Sequence, residues 1–327
     1  MSFAQERELE APAVSAPLTA ASFRPRATPI AVIAKFCRRK PLGAAGLVII
    51  LALTAIGALA PALERYHPED AIQVENPNYD PTSFEPEALA PTILNLKGDP
   101  SSTNWLGTDD SGRDVWSRLV WGARRSMGVG VGALLIATTV GTLLGVASAY
   151  FGGWFDTSLQ RVLDAIQAFP PLLLLILIAS NPFPTPEPSL TNLIFALGFI
   201  GITQVSRIVR GTVLVTRELP YVEAARVIGA NDARTMGIHI LPNVAAPIIV
   251  IFTIGLATVI IAEASLSFLA LAPPGASWGE MLSNGRQSIS TTPWIAIFSG
   301  MAITLAVLGF NLAGDALRDV LDPRLRA

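Results

Sequence analysis

The sequence predicts an all-α polytopic membrane protein with six transmembrane helices, and its composition and long apolar runs carry that prediction. Of the 327 residues, 51% are hydrophobic and 15% are charged, and the mean hydropathy is +0.50. An ordinary soluble domain has about 25% charged residues, and a helix needs about 20 apolar residues to cross the hydrocarbon core. Such runs cover residues 42–63, 127–151, 162–180, 190–209, 244–271 and 293–313. An even number of spans places both termini on one side.

The third run, residues 162–180, is the most interrupted of the set. Pro170 and Pro171 stand near its entry, and Asp164 and Gln167 lie before them. Proline has no backbone N–H and disturbs the interior of a helix. We expect the run to cross the membrane as the third span, with its entry disturbed at the two prolines.

Basic residues predict which side of the membrane each loop occupies, because Lys and Arg in short loops are retained in the cytoplasm. Loop 181–189 has no basic residue, and loop 272–292 has only Arg286. Loop 64–126 has several, but at about 60 residues it lies at the limit of the rule. The opposite side holds Arg38, Arg39, Lys40, Arg161, Arg207, Arg210, Arg217, Arg226 and Arg234. We therefore expect both termini, and the loop after the fourth span, to be cytoplasmic.

The chain divides around these spans. Residues 1–37 are rich in Ala and Pro without an apolar run, which predicts a disordered cytoplasmic tail. Residues 38–63 predict a first span that is an uncleaved signal anchor, because its apolar run exceeds the roughly 7 to 15 residues of a cleaved signal. The remaining divisions are an extracytoplasmic loop at 64–126, a core of five spans at 127–315 and a cytoplasmic tail at 316–327.

The end of loop 64–126 predicts an interfacial helix. Val115 and Leu119 recur at helical spacing, with Arg113 and Arg118 interspersed. An interfacial helix lies in the membrane plane with its apolar side inward. We expect this helix on the outer face, where it orients the second span or contacts a delivery protein.

The segment between the fourth and fifth spans is polar and punctuated by glycine and proline. Pro220 suits the first turn of a helix, and Gly229 suits a left-handed helix stop. Asn231 or Asp232 suits the cap of a second short helix, which Pro242 closes. Helices shorter than about 12 to 15 residues are marginal alone, so an elbow of two such helices implies a docking partner.

This elbow resembles the EAA loop of ABC importer permeases. The pattern is E-A-A, three residues, G, nine residues, I, one residue and L-P, and His239 replaces its isoleucine, as is common in the dipeptide and oligopeptide branch. Segments 106–127 and 262–282 are also similar to that branch, in its C-type subunit of the peptide/nickel family. The matching positions are Glu223, Ala224, Ala225, Gly229, His239, Leu241 and Pro242, within a coupling loop at 217–242.

The resemblance implies a type I ABC importer permease in the bacterial inner membrane. It implies a homologous second permease subunit, two ABC ATPase subunits that receive the elbow in a groove, and an extracytoplasmic substrate-binding protein. ATP and Mg would be bound by the ATPase subunits, with no cofactor in this chain. The branch carries dipeptides, oligopeptides, metal chelates, glutathione and oligosaccharides, so the cargo stays open among these.

The sequence offers little for chemistry of its own. No G-x-x-x-x-G-K-[ST] motif is present, so ATP hydrolysis belongs to another subunit. Cys37 is the single cysteine, and the two histidines, His67 and His239, have no metal-binding spacing. No basic stripe interleaved with aromatic residues predicts nucleic-acid binding.

Two other classes of protein compete with the permease. Residues 275–279 read G-x-S-x-G around Ser277, as in a polytopic serine protease, although Pro273 and Pro274 precede it where a strand is needed. The structural alternative is a tight turn with Trp278 as an interfacial anchor. An ion-coupled secondary transporter is disfavoured, because Glu263 is nearly the only carboxylate deep in a span and no inverted repeat is evident.

Glu263 and the glycines of the second span are the remaining candidates. An ionisable group within a span costs about 2.5 to 3.5 kcal/mol unless it faces protein or water. Glu263 is therefore either a pathway or gate residue at the outer end or a hydrogen-bond partner of the loop around Ser277. Gly128 with Gly132, and Gly141 with Gly145, predict close helix packing.

Overall fold

A computed structural model describes residues 37–38, 40–75, 92–94, 98–102, 104–180 and 189–321. The predicted N-terminal tail therefore lies almost wholly outside the described residues, as does the end of the C-terminal tail. The chain separates into residues 1–39 and residues 40–327, and the second unit holds every element named below.

Five helices of the described residues are long and apolar enough to span a membrane, which confirms the all-α membrane fold. The first is α1 (Pro41–Ala58), which a short α2 (Ala60–Leu63) follows. A strand pair joins β1 (Gln73–Glu75) to β2 (Thr92–Leu94) in antiparallel register within the loop before the second span. The other long helices are α3 (Val115–Phe151), α6 (Leu190–Thr216), the continuous helix Asp232–Phe268 and α11 (Pro293–Leu321).

The third predicted span is broken. It consists of α4 (Gly153–Gln167) and α5 (Pro171–Ser180), and the two axes differ by 87°. Pro171 begins the new helix because its ring cannot continue the old one. The expected total of six spans is reached only when this bent pair is counted as one.

The predicted interfacial helix and the second span form a single helix, α3, of 37 residues. Asp114 caps its start by accepting a hydrogen bond from the Ser117 amide at 2.9 Å. At 1.5 Å per residue the helix is about 55 Å long, so it extends well past a hydrocarbon core of about 30 Å. Arg118 is 1% exposed, because it packs within the protein. The prediction of a separate interfacial helix is therefore wrong.

The described residues also revise the chain's predicted ends. Helix α11 continues through Leu321, six residues beyond the boundary expected at 315. Lys40 Nζ lies 2.6 Å from Asp319 Oδ2, which joins the start of α1 to the end of α11. The two ends of the described spans therefore lie at the same end of the helix bundle.

Small residues set how closely the helices pack. A Cβ atom on Gly145 would lie 2.6 Å from the Ser206 carbonyl oxygen, and one on Gly141 would lie 2.8 Å from Val205 Cβ. This confirms the Gly141 and Gly145 packing, which presses α3 against α6. A Cβ atom on Gly132 would lie 3.2 Å from Ile194 Cγ2, so the other predicted pair is confirmed at Gly132, whereas one on Gly128 would meet no neighbouring atom within 4 Å among the described residues.

Candidate functional site at the polar elbow

The elbow covers residues 217–242. Its first arm is the short helix α7 (Pro220–Val227), which ends in a glycine stop. Pro220 occupies the first turn, and Gly229 has φ +89°. The Gly229 amide donates to the Arg226 carbonyl at 3.0 Å, and the Ala230 amide donates to the Ala225 carbonyl at 3.0 Å. This paired arrangement is a Schellman motif, which satisfies carbonyls that the helix end leaves free. The predicted left-handed stop at Gly229 is confirmed.

The second arm begins as predicted but continues further. Asn231 Oδ1 accepts the Arg234 amide at 2.8 Å and caps α8 (Asp232–Arg234). A π-helical turn (Thr235–Ile240) and α9 (Leu241–Phe268) follow without a break. The prediction that Pro242 closes a short helix is wrong. The wider π turn accommodates the proline at the next turn, because it relieves the clash of the ring with a preceding carbonyl.

One side of the elbow packs on the subunit and the other faces outward. Val222, Ala225 and Ile240 are buried, whereas Glu223, Ala224, Gly229, Leu241 and Pro242 are exposed and His239 is half-buried. The outward side also carries Val227, Ile228 and Ile238, which are 82%, 84% and 58% exposed. Large apolar side chains held out on an ordered turn are typical of an interaction site.

Glu263 of α9 lies in a buried polar cluster that sequence reasoning did not describe. It is fully buried, and its carboxylate accepts the Ser126 hydroxyl at 2.9 Å and the Ser267 hydroxyl at 3.0 Å. Arg125 Nε lies 3.8 Å from Glu263 Oε1. In the sequence, the one feature that marks Arg125 as a candidate is its place in the pair Arg124–Arg125 before the second apolar run.

Arg125 connects this cluster to the loop of residues 273–275. Its guanidinium donates to the carbonyl oxygens of Pro274 at 3.2 Å and Gly275 at 2.9 Å, and also to that of Pro273. Glu263 therefore reaches the loop through Arg125, whereas the predicted structural bond went to the loop directly.

The G-x-S-x-G segment is the start of a helix that the sequence did not predict, α10 (Trp278–Gln287). The buried Ser277 hydroxyl caps it by accepting the Glu280 amide at 3.1 Å. Trp278 is buried, and its Nε1 donates to the Leu119 carbonyl at 2.9 Å. The expectation of an interfacial anchor at Trp278 is therefore wrong. His67 lies 3.6 Å from Asp70, within its own loop.

A groove of about 710 Å³ runs between α5, α6 and α9. Its walls are mainly Leu, Ile, Val and Phe side chains, and Glu263 is not among the lining residues. Polar groups come from Gln167, Thr203, Gln204, Thr258 and Ser265. Gln167 Nε2 donates to Thr203 Oγ1 at 3.0 Å, which fixes one of the two amides. The described residues contain no group of three His, Cys, Asp or Glu side chains placed to hold a metal ion.

Comparison with known proteins defines the class of this membrane protein. A family described as binding-protein-dependent transport system inner membrane component matches residues 141–327, and the chain belongs to this family. More particularly, it is an ABC importer permease of the peptide-transport branch, as the elbow predicts.

Three relatives illustrate the similarity. A dipeptide transport system permease protein of Alkalihalophilus pseudofirmus is 38% identical over 295 residues, which cover 90% of this chain and 89% of that protein. A glutathione transport system permease protein of Pectobacterium atrosepticum is 38% identical over 295 residues, 90% of each chain. A glutathione transport system permease protein of Escherichia coli is 42% identical over 234 residues, 71% of this chain and 76% of that protein.

Proposed function

We propose that this chain forms half of the translocation pathway of an ATP-driven importer and receives its driving force through the elbow. The observation that carries the proposal is the outward side of the elbow, where Val227, Ile228 and Ile238 stand exposed beside Glu223 and Ala224. ATP and Mg belong to two ATPase subunits, and this chain needs no cofactor of its own. A homologous permease completes the pathway, and an extracytoplasmic binding protein delivers the cargo.

The elbow and both termini face the cytoplasm in this proposal. The arginines around the elbow support that orientation, because basic residues in short loops are retained inside. The ion pair between Lys40 and Asp319 is consistent with it, since the start of the first span and the end of the last span then lie on one side of the membrane.

The cargo class is a peptide or a related small amide. The named relatives carry dipeptides and glutathione, both built from amide units. The groove between α5, α6 and α9 is suited to such a cargo: its apolar walls accept varied side chains, and Gln204 can both donate and accept hydrogen bonds. Groups of this kind would contact a peptide backbone whatever its sequence.

Coupling follows from how the elbow joins the spans. ATP binding would close the ATPase pair and displace the docked elbow, which moves between two arrangements. The second arm is continuous with α9 from Asp232 to Phe268, so a displacement of the arm is a displacement of the span. At the outer end, Glu263 would act as a gate residue by holding Arg125 against the carbonyls of residues 273–275.

The experiment tests docking directly. Ile228→Asp places a charge on an exposed side chain, so we expect the ATPases to be lost on purification of the reconstituted complex while the permease pair remains. Ile289→Asp is the matched control, because Ile289 is also an exposed isoleucine, 59% exposed, but lies near α10 and away from the elbow. If Ile228→Asp retains the ATPases as well as the control does, the elbow is not their docking site.

A further inference from the structure

The last turn of α3 contacts two parts of the protein, α4 and the elbow, through three consecutive residues. The Ser148 hydroxyl donates to Asp156 of α4 and accepts Gln160 Nε2 at 3.0 Å. The Ala149 carbonyl accepts a hydrogen bond from Arg217, at the start of the elbow. Successive helix side chains point about 100° apart, so those of Ser148 and Tyr150 lie about 200° apart and reach neighbours on different sides of the helix. The third, Tyr150, points to the elbow.

Tyr150 contacts both arms of the elbow. Its hydroxyl donates to Asp232 Oδ1 at 2.7 Å, on the second arm. The Arg226 guanidinium carbon lies 4.9 Å from the centre of the Tyr150 ring, on the first arm. Gly229 lies between these two partners, at the only left-handed residue of the elbow's described backbone. One side chain therefore bridges the bend that the glycine creates.

The same turn is fixed to the helices beside it. Arg210 of α6 binds Asp156 through two hydrogen bonds of 2.6 Å each, and Asp156 also accepts the Ser148 hydroxyl. Bidentate arginine–carboxylate pairs are the more rigid and directional of the charged contacts. The end of α3 is thus bound to α4 and α6, and Tyr150 binds the elbow to this same unit.

We infer that Tyr150 is a positioning residue that braces the two arms of the elbow and transmits their displacement to α3. Since α3 is one uninterrupted helix, its other end moves with it, and that end carries Arg118 and Arg125. Arg118 Nη2 donates to Glu280 of α10 at 3.2 Å, and Arg125 holds residues 273–275. Helix α3 would therefore connect the elbow to the outer loop. This inference rests on the proposed docking of the ATPases at the elbow.

The test compares transport with ATP use in vesicles that contain the complete importer. Tyr150→Phe removes the hydroxyl and keeps the ring above Arg226, and Tyr150→Leu removes both contacts. We expect the cargo molecules moved per ATP to fall about three-fold in the first variant and about ten-fold in the second, while the ATPases still co-purify. Tyr66→Phe makes the same change in the loop that follows α2 and should leave this ratio unchanged.

A double-mutant cycle identifies the bond. If Tyr150 acts through Asp232, Tyr150→Phe combined with Asp232→Ala should lower the ratio no further than the stronger single change. Additive losses, or a wild-type ratio in Tyr150→Phe with ATPases bound, would overturn the inference and leave the docking proposal intact. Retention of the ATPases by Ile228→Asp would instead remove the docking proposal. Should Tyr150→Leu fail to insert, the phenylalanine variant decides, because it changes only the hydroxyl.

Discussion

Arg125 and Glu263 form a buried ion pair between the second and fifth spans, with 3.8 Å between Arg125 Nε and Glu263 Oε1. Neither charge is isolated, because Ser126 and Ser267 donate to the carboxylate and three loop carbonyls accept from the guanidinium. A charge inside a membrane protein is tolerated when it is paired in this way. The pair fixes the loop of residues 273–275 to two helices at once.

Removing Glu263 should therefore destabilise the protein. In Glu263→Ala the guanidinium of Arg125 stays buried without its counter-charge, which costs about 3 to 5 kcal/mol. Glu263→Gln should lose less, because an amide still accepts from Ser126. The unfolding temperature of the purified protein measures both. Glu218→Ala, which removes an exposed carboxylate beside Arg217, should cost about 0 to 1 kcal/mol. An unchanged unfolding temperature in Glu263→Ala, together with lost uptake, would mean that the carboxylate acts on the cargo itself.

The backbone of the elbow predicts a defect in coupling. Gly229→Ala forces a side chain into a left-handed conformation, which costs about 1 to 2 kcal/mol, and Gly229→Val more. No atom lies within 4 Å of the added Cβ among the described residues, so the cost is conformational. We expect normal insertion with uptake reduced or lost. Gly211→Ala is the control, since its added Cβ is equally free and its φ is helical. Equal uptake in the two variants would show that the bend is dispensable.

Charge reversal at the elbow tests docking without a backbone change. Glu223 is exposed, so Glu223→Lys should change the free energy of unfolding by no more than about 0.5 kcal/mol. It should nevertheless abolish cargo-stimulated ATP hydrolysis, because a reversed charge opposes a complementary groove. Asp70→Lys makes the same change on an exposed residue of the loop after α2 and should retain the ATPases. Normal stimulated turnover in Glu223→Lys would make the elbow an ordinary loop.

Ser277 distinguishes the permease from the protease class. Ser277→Ala removes the cap of α10, which should cost about 0.5 to 2 kcal/mol while uptake stays largely unchanged. The measurements are the unfolding temperature and the uptake rate. Disappearance of a proteolytic product with unaltered transport would support the serine protease.

Single cysteines in a Cys37→Ser background test the orientation. Cysteines at Asp70 and Gln287, both exposed, should react with an impermeant thiol reagent in intact cells, whereas one at Ala233 should not. Asn104 is unsuitable for labelling because it is buried and its amide donates to Asp114 at 3.1 Å. Labelling at Ala233 from outside would reverse the topology.

The sequence predicted what local rules decide. Apolar length identified the spans, and the glycine stop at Gly229 and the cap at Asn231 depend on residues within one helical turn. The prediction that Pro242 ends a short helix was wrong because the preceding π turn depends on packing, which no local sequence pattern reports. The break at Pro171 was visible, but the 87° angle depends on how α5 packs against α6.

The contacts that the sequence did not predict join distant residues. Ser126 and Glu263 are 137 residues apart, and Tyr150 and Asp232 are 82 apart. Arg125 lies just before the second apolar run and Tyr150 lies at its end, so neither position indicated a long-range partner. Only the packing of α3 against its neighbours gives them partners.

The ion pair between Lys40 and Asp319 joins residues 279 positions apart, and this has a consequence for synthesis. A ribosome adds about 5 to 20 residues per second, so the first helix waits roughly 15 to 55 s before its last partner is made. During that time Gly46 lacks the neighbour that it packs against in the folded chain, since the backbone of Gly309 does not yet exist. The first and last helices therefore meet late, and the bundle closes only when translation is nearly complete.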